Sequence, residues 1–134
     1  MSETTQQISK TQFLLRLANH LAKSKKPVIY VAGKVSGLKP EDYEAKFKKA
    51  EQQLESQGFH VLNPCAFISP DCDWKFAMRL ALTLLNMADH IYLLPDWTDS
   101  PGAQWEFEQS LKLGLNAIFE AEITKPVPAH KFLD

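Results

Sequence analysis

Four short apolar runs alternate with segments of helical periodicity, and this alternation constrains the fold more than any other feature of the chain. Val28-Ile29-Tyr30-Val31-Ala32 is continuously apolar, as in a strand buried on both faces, and it stops at Gly33. Phe59 to Leu62 is closed by Asn63-Pro64, His90 to Leu94 by Pro95, and Asn116 to Glu120 forms the last run. Between them the apolar residues recur in steps of three and four. Tyr43, Phe47, Ala50 and Leu54 make one helical stripe, begun by Pro40 with Glu41 and Asp42 and stopped at Gly58. Phe76, Ala77, Leu80, Leu84 and Met87 make another, with Asp71 or Asp73 as its cap. A third helix opens at Ser100-Pro101, where the serine caps and the proline loses nothing by lacking an N–H, and ends near Gly114. Strands and helices joined by short loops predict right-handed crossovers. The expected fold is α/β, a Rossmann- or flavodoxin-like three-layer sandwich with a four- to five-stranded parallel sheet over residues 27–134. Residues 1–26 form an N-terminal helical extension, with Phe13, Leu14, Leu17, Ala18, Leu21 and Ala22 on one side and Lys23, Lys25 and Lys26 at its end. Pro126 and Pro128 predict an irregular tail.

Charge narrows the partners. Fifteen basic and sixteen acidic residues leave a formal charge of −1, without the basic surplus that nucleic-acid or membrane-surface binding requires. The two halves differ, with ten basic and six acidic side chains up to residue 57 and five and ten after it. The uncharged stretch Leu80 to Ala88 is half the length needed to span a bilayer, and Met1 to Lys10 lacks the order of a secretory signal. The expectation is a cytoplasmic protein. Cys65 and Cys72 then read as reduced, small buried side chains, and with His60 they match no usual zinc spacing, so no metal is expected.

In parallel sheets ligands bind beyond the carboxyl ends of the strands. After the first strand, Gly33-Lys34-Val35-Ser36-Gly37 offers close backbone approach and donors from Lys34 and Ser36. It equally reads as an ordinary glycine turn. After the third strand, Asp96-Trp97-Thr98-Asp99-Ser100-Pro101-Gly102 gathers two carboxylates, an indole and a helix N-terminus whose Gly102 and Ala103 N–H groups favour an anion. Glu106 lies one turn on, on the same helical face as Gly102. Its alternative role is to complement the helix dipole, and Trp97 and Trp105 either stack on a ligand or pack in a core or subunit contact. His60 and His90 are read as structural.

VIYVAGKVSGL, FHVLNP and ADHIYLLPDWTDSPGAQWEFE resemble, in order and spacing over residues 28–120, a small-domain family of unknown function in the nucleoside 2-deoxyribosyltransferase-like group. The elements that carry the likeness are Tyr30 to Gly33, Asn63-Pro64 and Gly102 to Glu106. The resemblance implies that Glu106 is a nucleophile toward C1′ of a deoxyribosyl group, leaving a glycosyl ester for water or a second base. It makes Tyr30 a pocket residue that orients Glu106 or the sugar. Ser100 matches the serine that related deoxynucleoside 5′-monophosphate N-glycosidases carry, with Asp96 or Asp99 as an alternative partner for a sugar hydroxyl. Homo-oligomers, dimeric or higher, are implied as well.

Three positions depart from the expected pattern. Lys34-Val35 replaces the Pro-Met usual in the close family, and Ala81 stands where the group carries its proton donor. Asp71, Asp73 or Asp96 would then have to supply the proton from a loop, or the leaving group needs less help. The resemblance thus implies cleavage or transfer at the N-glycosidic bond of a deoxynucleoside or its 5′-monophosphate, a reaction for which no metal or redox cofactor is expected. A nucleotide-binding or sensing domain without turnover and a structural or interaction domain are the alternatives.

Overall fold

The computed structural model describes residues 10–24 and 26–123. Helix α1 (Lys10–Ser24) precedes strand β1 (Val28–Ala32), all five of whose residues are buried. Helix α2 (Pro40–Ser56), strand β2 (His60–Leu62), helix α3 (Trp74–Leu85), strand β3 (His90–Leu93), helix α4 (Pro101–Lys112) and strand β4 (Asn116–Phe119) follow. Short 3-10 turns occupy Pro64–Ala66, Trp97–Asp99 and Glu120–Glu122. The expected strand starting at Phe59 begins one residue later, and Leu94 and Glu120 fall just beyond their strands.

All strands are parallel, in the order β2-β1-β3-β4, which sets the strand number at four among the described residues. Pairing runs from Val28 opposite His60 on one side of β1 and from Ile29 opposite His90 on the other. Because side chains alternate along a strand, β1 feeds two cores. Ile29 and Val31 pack with Tyr43, Phe47, Ala50 and Leu54 of α2, while Tyr30 and Ala32 pack with Ala81, Leu84 and Leu85 of α3 and Ala103 of α4. The result is three layers, α2 on one face and α3 with α4 on the other.

The helix ends follow their chemistry. Gly58 and Gly114 take φ of +96° and +79° after α2 and α4, a conformation open to glycine at little cost. Asp73, rather than Asp71, caps α3 by accepting from the Lys75 N–H at 3.3 Å. One predicted core residue of α3 is out of place. Phe76 is 43% exposed beneath the Lys10 ammonium, because the inward face centres on Ala81 and Leu84 and Phe76 lies at its margin. In α1, Phe13 meets Phe67 edge-on and Leu17 packs against the core beside α3. The stripe's continuation to Leu21 and Ala22, the lysines at 23 and 25, and the tail at Pro126 and Pro128 lie outside the described side chains.

Gly33 ends β1 for a packing reason. A Cβ there would sit 2.6 Å from Leu94 Cδ1 and 3.0 Å from Leu94 Cβ, and Leu94 is itself buried. Gly33→Ala is expected to destabilise the protein by about 1–3 kcal/mol, the usual cost of overpacking a core, read as a lower denaturant midpoint at unchanged slope.

Candidate functional site

The chain leaves β1 toward α2 on one face and leaves β3 toward α4 on the other, so the loops after these adjacent strands diverge and open a crevice at their carboxyl ends. A cavity of about 540 Å³ occupies it, within the ~300–1,000 Å³ usual for small-molecule sites. Each layer contributes: Tyr30 from β1, Ser36 and Gly37 from the loop after it, Cys65 after β2, Ala81 from α3 and Glu106 from α4.

The centre of the site is a buried pair. Tyr30 alternates onto the α3 and α4 face of the sheet, and Glu106, one turn inside α4, meets it there. The Tyr30 hydroxyl donates to Glu106 Oε2 at 2.6 Å, with Tyr30 fully buried and Glu106 8% exposed. Burial pushes the Glu106 carboxyl up to about 7, against the opposing pull of the Tyr30 hydrogen bond, which favours the ionised form. Burial first, and then the neighbouring Glu106, drive the Tyr30 phenol well above its ordinary range. The tyrosine thus stays protonated while the carboxylate titrates near neutrality.

A second polar cluster shapes the cavity from outside it. Asp96 accepts from the Lys34 N–H at 3.0 Å through one oxygen and from the Lys46 ammonium at 2.5 Å through the other. Lys46 also donates to the Lys34 carbonyl at 2.8 Å. This clasp ties the loop after β1 to α2 and to the loop after β3, holding Ser36 and Gly37 over the cavity.

Of the residues singled out in the sequence, Tyr30, Gly33, Ser36, Gly37, Ser100, Gly102, Ala103 and Glu106 come together around the cavity. Lys34, Asn63, Asp96, Trp97 and Asp99 do not line it. Lys34 and Asp96 form the clasp. Asn63 is buried, donates to Glu51 Oε1 at 2.9 Å and caps the turn after β2 by accepting from the Cys65 N–H. The Trp97 ring packs against Phe107 and Phe119 at 5.1 and 5.7 Å, a core role rather than a ligand-stacking one. Asp99 is exposed. The open helix end expected at α4 is also partly closed, since Ser100 Oγ accepts from the Ala103 N–H at 3.1 Å.

Other lining residues escaped the sequence reading. Cys65 and Cys72 are half-buried free thiols on the cavity wall, and Cys65 also packs against the core beneath α2. Burial raises both, Cys65 to about 12, so neither is a ready thiolate. Tyr43, Phe47 and Trp74 add aromatic faces. The signal for Cys65, Cys72 and Trp74 was the long loop between β2 and α3 and the start of α3, while Tyr43 and Phe47 belong to the buried stripe of α2. Among the described residues, no group of three or more His, Cys, Asp or Glu side chains is placed to hold a metal ion, and no helix is long and apolar enough to cross a membrane.

The sequence profile of a family described as a domain of unknown function, DUF4406, matches residues 27–119. The chain belongs to the DUF4406 family. No curated protein and no solved structure matches it. The DUF4406 region begins one residue before β1 and ends with the last residue of β4, so it contains the whole sheet, the Tyr30–Glu106 pair and the cavity and leaves α1 outside.

Proposed function

We propose that this DUF4406 domain cleaves or transfers at the N-glycosidic bond of a deoxynucleoside or its 5′-monophosphate, with Glu106 as nucleophile. The observation that carries the reading is the buried Glu106 carboxylate on a nucleoside-sized cavity, oriented through one oxygen by the Tyr30 hydroxyl. The likeness to the nucleoside 2-deoxyribosyltransferase-like group supports it through Tyr30 to Gly33, Asn63-Pro64 and Gly102 to Glu106. The free oxygen of Glu106 attacks C1′ as the bond to the base nitrogen breaks, and the electron pair of that bond leaves with the base. Water or a second base then displaces the carboxylate. Tyr30 lowers the cost of the ionised state throughout. The proposal includes a homo-oligomer, in keeping with Val35, Leu38 and Trp74, which line the cavity and are 37%, 36% and 60% exposed.

The test is chromatographic detection of free base after incubating the purified protein with deoxynucleosides, including one whose base is N-alkylated and cationic, and their 5′-monophosphates. Release above the buffer rate for at least one substrate is expected, and none across the panel refutes an enzymatic role. One observation favours a binding module without turnover: Ala81, buried on the cavity wall, presents a methyl group where the resemblance calls for an acid. Calorimetric binding of a nucleotide with no base released over hours would identify that case.

Ionisation of Glu106 gives the reaction a pH dependence. The attacking form is the carboxylate, so kcat/KM is expected to rise as pH climbs through about 7 and to level above it. Tyr30→Phe removes the hydrogen bond that favours ionisation and moves this limb to higher pH. A pH–rate profile of the two proteins checks both statements.

A further inference from the structure

Breaking the bond between C1′ and a neutral purine or pyrimidine drives an electron pair onto the ring nitrogen, and the base leaves readily only if it receives a proton. General acid assistance of this kind is worth ~10²–10⁴-fold. Around this cavity the donors are poor. Glu106 is the sole carboxylate among the described lining residues, which include no Lys, Arg or His. It cannot attack C1′ and protonate the base in one step. The other titratable lining groups are Tyr30, Tyr43, Cys65 and Cys72, and burial raises all four away from useful acidity. Tyr30 is moreover engaged with Glu106, and Asp71, which accepts from Ser69, lies outside the lining.

We infer that the cavity takes an N-glycoside whose heterocycle already carries a positive charge, such as an N-alkylated purine or a pyridinium, so that the base departs without a proton donor. The inference rests on the assignment of Glu106 as nucleophile. The step then balances without an acid. A Glu106 oxygen bonds to C1′, the C1′–N bond breaks, and its electron pair neutralises the cationic ring. Water next adds to C1′, the carboxylate leaves, and the proton lost by that water passes to solvent.

The walls suit such a ligand. Tyr43 and Trp74 bring aromatic side chains to the lining, and aromatic rings attract a cation, while the Phe47 ring already holds the Lys46 ammonium at 5.6 Å. No basic side chain is on the lining, the Lys46 ammonium beside Phe47 is paired with Asp96, and Glu106 is the sole carboxylate among the described lining residues. Binding a cation beside that carboxyl also favours the ionised, attacking form, so substrate charge and nucleophile activation are coupled.

N7-methyl-2′-deoxyguanosine and 2′-deoxyguanosine separate the possibilities, since they share the sugar and differ in ring charge. Base release from each is measured with the wild-type protein, and the rate with Glu106→Gln is subtracted because the cationic nucleoside also decays spontaneously. A Glu106-dependent rate at least ~10²-fold higher for the methylated nucleoside is expected. An equal or faster rate with 2′-deoxyguanosine overturns the inference and leaves the nucleophile reading intact. Absence of Glu106-dependent release from both overturns the two together.

Discussion

Glu106→Gln is expected to reduce base release by ~10³-fold or more while preserving the fold. The carboxamide has the same shape, and its oxygen can still accept from Tyr30, which donates to Glu106 at 2.6 Å in the native protein. What is lost is the electron pair able to form an ester at C1′. Stability separates this from a folding defect. The folded-state pKa of Glu106 lies near 7 against an ordinary 4.5, so the native state keeps a proton that the unfolded chain releases between those values. The stabilising contribution of the protonated carboxyl is therefore complete below about 4.5 and is lost as pH rises through about 7. Glu106→Gln carries no such titration. Its stability relative to wild type should be higher at pH 8 than at pH 5, measured by urea unfolding at both. A variant that fails to fold at either pH would show instead that the carboxylate is a structural requirement.

Ala81→Asp is expected to act in the opposite direction, raising cleavage of a neutral deoxynucleoside by ~10²–10⁴-fold, the range of general acid catalysis. Ala81 lies on α3, 1% exposed, with its side chain on the cavity that Glu106 also lines. A carboxyl placed there is held protonated by burial and by the nearby Glu106, the combination that makes a proton donor at neutral pH. The gain should be confined to substrates whose base leaves as an anion. With N7-methyl-2′-deoxyguanosine the rate should change little, which distinguishes an added acid from a general improvement in binding. If the substitution lowers the melting temperature too far for assay, Ala81→Asn, which has similar volume and no acid, gives the matched control for the packing cost.

The sequence was legible where one element decides its own structure. The stripe Tyr43, Phe47, Ala50 and Leu54 is the buried face of α2, and five apolar residues before Gly33 are the central strand. Ser100-Pro101 starts α4 as capping chemistry requires. Glu106 was legible in the same way, because helical spacing alone puts it on the face of Gly102. The failures share a cause. The partners of Asp96 are Lys46 and the Lys34 backbone, 50 and 62 residues away, and Trp97 finds Phe107 and Phe119 only when β3, α4 and β4 are assembled. A cluster of carboxylates and an indole in one loop therefore read as a ligand surface, although the fold turns Asp96 toward α2 and Trp97 into the core. Cys65 and Cys72 were undervalued for the same reason. Only the docking of the loop between β2 and α3 over the β1 terminus makes them part of the cavity wall. Ala103 lines the cavity as expected, but a local competition takes its N–H, which the capping serine claims.

A covalent bond between Glu106 and a sugar is the central step of the proposed reaction, and that bond is directly observable. A nucleoside carrying fluorine at C2′ of the sugar forms the ester but resolves it slowly, because the electron-withdrawing fluorine disfavours the oxocarbenium-like centre needed for the second step. Intact-mass measurement after incubation with N7-methylguanine attached to 2-deoxy-2-fluoroarabinose should show the protein heavier by one fluorosugar, with fragmentation placing the added mass on Glu106 and no adduct on Glu106→Gln. Continued Glu106-dependent base release with no adduct, or an adduct on any other residue, would contradict the assignment of Glu106 as the nucleophile.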